Sequence, residues 1–316
     1  MRGRLYTLWL LSLAFWVVPS VGMAYETDQF SHRLEPIADS MPVMNQRVNQ
    51  SIETAVAAWK GPRDDWKFVN AIYHDLGGHH WVDRIERWAM KSDEVERLQP
   101  TRRESIYQGH PFWATRVAGI FGVGPTIKIN GQLIGSDKLG HFFSQGKKFY
   151  RRYMRSGDEA QAAEHSAYTE RAIFGQLTTG VYSNADLVAN YEGFRFYLSL
   201  FEDNVVPGKP AILAWQEDHW VIQRTFTWAD HVNEYWDEAL NINHYDRILY
   251  PHMQKRLLTF CPDYLKAPDK YTIGKSTEFG LMERYQHLGL RETSDLRLDH
   301  LCRDAPPYPV MGSSSE

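Results

Sequence analysis

Five side chains able to do acid–base chemistry fall in one stretch of the chain: Asp137, Lys138, His141, Glu170 and Asp186. A histidine next to a carboxylate can be oriented as a general base or as a metal ligand. Lys138 could stabilise negative charge as it develops, while Glu170 and Asp186 orient His141 or hold a cation. Such a set suits a hydrolase, with Asp137, Lys138, His141, Glu170 and Asp186 as catalytic residues and Asn190, Ser136 and Tyr182 as substrate contacts. A metal-dependent variant would place a divalent ion on His141, Glu170 and Asp186. The same residues also read as a buried salt-bridged network that sets helix register. Its open or closed surroundings decide between the two readings: a site leaves His141 at the bottom of a pocket, and a network is sealed and fully hydrogen-bonded.

Three helices must position these groups, expected over 137–154, 158–177 and 184–201. Lys138 and Asp137 lie three and four residues before His141 and share its face. Ser136 reads as an N-cap, with Asp137 in the first turn, where the helix dipole favours an acid. Ser183-Asn184-Ala185-Asp186 has the form of a capping box with Asp in place of the usual Glu or Gln. Asp186, Asn190 and Gly193 recur at i, i+4 and i+7, a face unlike a normal core face. Gly193 allows another helix to approach closely. Ala163, Ser166, Ala167 and Gly175 suggest tight packing of the middle helix. Unpaired burial of these charges would cost several kcal/mol each, on the order of a broken buried ion pair. His141 is therefore expected within hydrogen-bond or one-water reach of Glu170 or Asp186.

The order Asp-Lys-x-x-His, a helical Glu about thirty residues on, and Ser-x-x-Asp-Leu-x-x-Asn-x-x-Gly resembles the VanZ-like proteins. It is similar also to the small YfiM-type bacterial envelope lipoproteins. The resemblance covers about 60 of 316 residues, from 136 to 196, and implies an envelope role. Carried over, it marks Asp137, Lys138, His141, Glu170, Asp186, Asn190 and Gly193. Two departures stand out. Gln145 occupies the place of a Tyr four after the His, and Lys147, Lys148, Arg151 and Arg152 charge a segment that is membrane-embedded in VanZ-like proteins.

The rest of the chain supplies the setting. Arg2 and Arg4, the apolar run Leu8–Val18 and the small residues Gly22 and Ala24 form a signal peptide over 1–24, with cleavage expected before Tyr25. A periplasmic or secreted bacterial protein follows, with no later apolar run of membrane-spanning length. Residues 25–304 are expected as a single mainly α domain, a helical bundle with one small β-hairpin and a motif core at 136–201. Residues 305–316 read as a disordered tail. The chain has 35 Lys and Arg against 39 Asp and Glu, a formal charge of −4, which argues against nucleic acid as the main partner. A cell-envelope component, lipid or peptidoglycan, is the partner expected. Cys261 and Cys302 are the only cysteines and, in an exported protein, read as one disulfide. Closing their loop is worth roughly 3–4 kcal/mol.

Further elements follow from pattern. Val48, Ile52, Val56 and Trp59 mark a helix over 45–59, stopped at Gly61-Pro62. Helices are expected over 64–75, 81–90, 228–239 and 246–260, and a strand pair over 212–227 around 216–219. Thr126–Ile134 with Asn130-Gly131 reads as the hairpin. The chain after 260 reads as irregular. The aromatic residues read mainly as core. His74 with His79-His80 is a minor candidate for metal. His231, Glu234 and Glu238 share one expected helix face and read as a charged, exposed surface. No Gly-x-Ser-x-Gly elbow, phosphate loop or His-Glu-x-x-His motif occurs.

Overall fold

A computed structural model describes residues 26–78, 82–110, 122–171 and 180–303. The signal peptide, the 305–316 tail, His79, His80 and Gly175 lie outside the described residues. The fold is mainly α. Helix α1 (Met41–Ala58) has a proline in its first turn and buries Met44, Val48, Ser51 and Ile52, a stripe at helical spacing. Its neighbour α2 (Asp65–Leu76) starts where the Asp64 side chain accepts from the Lys67 backbone N–H at 2.8 Å. The short α3 (Arg84–Ala89) follows. Strands β1 (Thr126–Ile129) and β2 (Gln132–Gly135) form the expected hairpin. Thr126 pairs with Gly135, and Asn130-Gly131 turn in left-handed conformations.

The hairpin leads straight into α4 (Asp137–Gly140), which passes into a π-helical segment, His141–Gln145, and then α5 (Gly146–Ser156). The expected single helix over 137–154 thus carries an insertion of wider coil. Ser136 stands at the N-cap position of α4, but its side chain makes no capping hydrogen bond. Its backbone is already helical, and its buried hydroxyl has no partner among the described residues. Gly157, in the left-handed region, ends α5, and Asp158 caps α6 (Glu159–Thr169). The short strand β3 (Val181–Tyr182) precedes α7 (Asn184–Ser199), where Ser183 Oγ accepts from the Asp186 backbone N–H at 3.1 Å. Helix α7 is buried on nearly every side and packs on α5 and the π-helical segment.

That packing depends on two glycines. A Cβ on Gly193 would lie 1.9 Å from the Phe142 carbonyl oxygen, and one on Gly146 would lie 2.6 Å from Gly193 backbone atoms. Gly193→Ala is therefore expected to cost at least ~2–3 kcal/mol, the upper range for overpacking, because only backbone could move aside. A urea unfolding midpoint equal to that of the unaltered protein would contradict this crossing.

Strands β4 (Leu213–Gln216) and β5 (His219–Ile222) form a second hairpin, and β6 (His244–Tyr245) pairs with β3. The β4–β5 pair is the one expected around 216–219, so among the described residues only the short β3–β6 pair was not expected. The helix expected over 228–239 is two 3-10 turns, Trp228–Asp230 and Glu234–Trp236. The Thr227 and Asn233 side chains accept from Ala229 and Tyr235 backbone N–H groups, so local capping breaks the run twice. The expected helix over 246–260 narrows to α8 (Tyr250–Leu257) with a 3-10 turn after it. The chain beyond 260, read as irregular, holds α9 (Cys261–Lys266), α10 (Lys275–Tyr285) and α11 (Leu298–Leu301). The Cys261–Cys302 disulfide is formed.

The larger core is aromatic. Phe142, Phe143, Phe196, Phe226, Trp228 and Trp236 pack ring against ring beside the π-helical segment. No described helix is long and apolar enough to cross a membrane.

Candidate functional site

Lys138 lies at the centre of the charged cluster and is 1% exposed. Its ammonium reaches Asp137 Oδ2 at 2.7 Å, Asp186 Oδ1 at 2.6 Å and Glu238 Oε1 at 2.7 Å. The contacts to Asp137 and Glu238 are hydrogen bonds, whereas that to Asp186 is an ion pair whose Oδ1 accepts no hydrogen bond among the described residues. Burial works against its charge, but Asp137, Asp186 and Glu238 outweigh that and hold its pKa well above the usual range. The Ser183 hydroxyl donates to Glu238 Oε1 at 3.0 Å, tying the α7 cap to the same cluster. With its amide turned so that both ends are satisfied, Gln29 donates to Glu238 Oε2 at 3.3 Å and accepts from the Gly135 backbone N–H at 2.8 Å. Thr27 donates to Asp137 Oδ1 at 3.2 Å. Gly135 is required beneath this contact, since a Cβ there would lie 2.1 Å from Thr27 Oγ1.

His141 takes the other side of Asp186. Its Nε2 lies 3.2 Å from Asp186 Oδ2, and its Nδ1 lies 3.0 Å from Asn190 Oδ1. Asn190 in turn donates to Ser166 Oγ at 3.1 Å. The expected reach from His141 to an acid is met by Asp186. The π-helical segment begins at His141 and sends the next two side chains, Phe142 and Phe143, into the aromatic core. Wider coil of this kind recurs at functional sites.

Beyond His141 opens a narrow cleft of about 40 Å³, room for a few waters or one small group. His141, Asn190, Ser166 and Glu170 line its inner end, and Lys148, Arg152 and His165 its outer part. Glu170 is buried and accepts from the Ser183 backbone N–H at 3.4 Å. Burial, reinforced by the charge of Asp186, raises its pKa well above the usual carboxylate value, which favours the protonated form. For Asp186, burial is overcome by His141 and Lys138, and it stays ionised with its pKa lowered.

Of the residues expected to do chemistry, His141, Glu170 and Asn190 meet at the cleft. Asp186 stands directly behind His141, while Lys138 and Asp137 lie deeper and do not line it. Lys138 is 1% exposed and out of reach of a substrate in the cleft. Ser136 is sealed in the core, and Tyr182 points elsewhere: its hydroxyl donates to the Gly289 carbonyl at 2.9 Å and Arg291 covers its ring. Neither touches the cleft. The expected metal set also changes. Atoms of Asp137, His141 and Asp186 lie within 4.8 Å of one another, a spacing an ion could bridge, and Glu170 is not part of that group. The Lys138 ammonium already bonds both of those aspartates. It fills the cation position between them, so no step here is routed through a metal.

Several residues of the cluster are far away in sequence. Glu238, expected on an exposed face, is 4% exposed and bound to Lys138. His231, of the same expected face, is buried against Glu192 at 3.1 Å, where Arg284 and Tyr285 also converge. Glu26 joins from the N-terminal arm. Burial first, then the charges of Glu238, Asp186 and Asp137, push its pKa up to about 8. Asp83 and Glu86 of the α3 start complete the ring, with Ser144 donating to Asp83 Oδ2 at 2.6 Å. Burial lifts Asp83 to about 6 and Glu86 well above its usual value.

A carboxyl raised in the folded state binds more protons there than in the unfolded chain, so its contribution is lost as pH rises. For Glu26 that window runs from 4.5 to about 8. Glu26→Gln should flatten the fall in melting temperature across this window. A slope identical to that of the unaltered protein would show that Glu26 does not sense the cluster.

Compared with protein-family models, curated proteins and solved structures, the chain matches none.

Proposed function

We propose that this chain is an exported cell-envelope hydrolase, acting on a lipid or peptidoglycan component through His141 and Glu170. One observation carries the reading: a histidine oriented by Asp186 opens onto the same cleft as the buried carboxyl of Glu170. Asp186 accepts from Nε2–H, which makes Nδ1 the base; Nδ1 faces the acceptor Asn190 Oδ1 at 3.0 Å, so the attacking water takes the place of Asn190 against Nδ1 before it gives up a proton. Water attacks the ester centre and gives a proton to Nδ1, while Glu170 passes its proton to the departing oxygen. An acid and an alcohol leave, and the proton on His141 returns to Glu170 through solvent. Asp186 and Asn190 act by positioning His141, and Lys138 by holding Asp186 and Asp137 in place.

Export rests on the signal peptide read at 1–24, and the envelope role on the resemblance to VanZ-like and YfiM-type proteins. We take the helices α4 to α7 around the cleft as the helical bundle those motifs suggest. A non-catalytic reading is favoured by the sealed Lys138 cluster, which has the closure of a structural network. The open His141 side is what that reading leaves unexplained. The test is to incubate the purified protein with bacterial envelope lipids and with peptidoglycan fragments, and to follow released groups by mass spectrometry. Release of one product class supports the hydrolase. Intact substrates in both pools favour the network.

A further inference from the structure

The outer part of the cleft is basic, although the chain as a whole is acidic. Lys148 and Arg152 sit four apart on α5 and so share a face, and His165 faces them from α6. All three line the cleft that ends at His141 and Glu170. Arg152 Nη2 touches His165 Nε2, and Arg151 and Arg155 stand on the same helix. Lys148 feels the Asp83 carboxylate, while Arg151 and Arg152 act against its charge. Burial and neighbouring cations lower the pKa of Arg152 and of His165.

We infer that this end of the cleft binds a phosphate group of the substrate, held by Arg152, Lys148 and His165 from two helices. The inference deepens the hydrolase reading and rests on it: the bond cleaved would be a phosphoester placed against His141 and Glu170. Arginine offers a fork to two phosphate oxygens, and lysine adds a point charge. Two cations, Arg152 and Lys148, match a dianionic phosphate better than a single carboxylate, with the His165 ring beside them. The phosphate could come from a lipid headgroup or from a soluble phosphoester, and the cleft's small volume admits the group in either case.

Calorimetry with inorganic phosphate tests the site, with acetate as the competing anion. Arg152→Ala should weaken phosphate binding by about tenfold or more, the equivalent of one charge-assisted hydrogen bond. Arg152→Lys should recover part of it, and Arg155→Ala, outside the cleft, should change it less than about twofold. Flotation with vesicles of phosphatidylglycerol against phosphatidylcholine separates the sources. Binding to the anionic vesicles that Arg152→Ala abolishes assigns a lipid headgroup, and phosphate binding without vesicle binding assigns a soluble phosphoester. Acetate binding as tight as phosphate, or phosphate binding untouched by Arg152→Ala, would overturn the inference. Hydrolysis that needs His141 but proceeds on a phosphate-free substrate would overturn it while leaving the hydrolase reading intact. Phosphate binding in a protein that cleaves nothing would do the reverse.

Discussion

Lys138→Met is expected to destabilise the fold by about 3–5 kcal/mol, the cost of removing one partner from a buried ion cluster. The ammonium is bonded to Asp137, Asp186 and Glu238 and is almost wholly shielded from water. Methionine fills similar space, so lost packing contributes little. What remains is three carboxylates facing one another in a buried site, each of which must take up a proton or separate. Without the ammonium, Asp186 and Glu238 lose the charge that holds their pKa values down, and a carboxyl whose pKa is raised on folding loses its stabilising contribution as pH increases. The deficit should therefore be smallest in acid and grow towards neutral pH. Urea unfolding at several pH values measures this directly. A deficit below about 1 kcal/mol, in the range of a surface ion pair, would mean the cluster does not hold the fold.

Glu170→Gln should lower turnover by about 10²–10⁴-fold, the usual contribution of a positioned general acid. The substitution keeps the shape and removes the proton that the leaving oxygen requires. Among the described residues the carboxyl makes one long contact, from the Ser183 backbone N–H at 3.4 Å, so stability should change by less than about 1 kcal/mol. The raised pKa of Glu170 also predicts an alkaline limb in the pH–rate profile, where activity falls as the acid loses its proton. That limb should vanish in the variant's residual activity. A variant with full turnover and an unchanged profile would remove Glu170 from the chemistry.

The meeting of His141 with Asp186 and Asn190 was legible because all three lie on amphipathic patterns whose periods place them on facing helices. Gly193 was legible for a related reason, since a glycine on a polar helix face signals a close crossing. That the Ser136 hydroxyl caps nothing was not, because the β2 strand runs directly into helical backbone there. Glu238 was misread because a helical period was assumed for 228–239. Two side-chain-capped turns break that period and turn Glu238 inward to Lys138. Glu26, Thr27 and Gln29 left no local signal at all: they arrive through a contact across more than a hundred residues, permitted by Gly135. The basic end of the cleft was visible only as Lys148 and Arg152 in a charged segment, since His165 joins it from a separate helix.

The central claim is that His141 works on a substrate in the cleft, whereas Lys138 works on the fold. It is tested most directly by measuring His141→Ala for both release of product from envelope substrates and melting temperature. Turnover should fall by about 10²–10⁴-fold, as for loss of a general base, with the melting temperature within a few degrees of the unaltered protein. Unchanged turnover, or a collapse of the melting temperature like that expected for Lys138→Met, would contradict it.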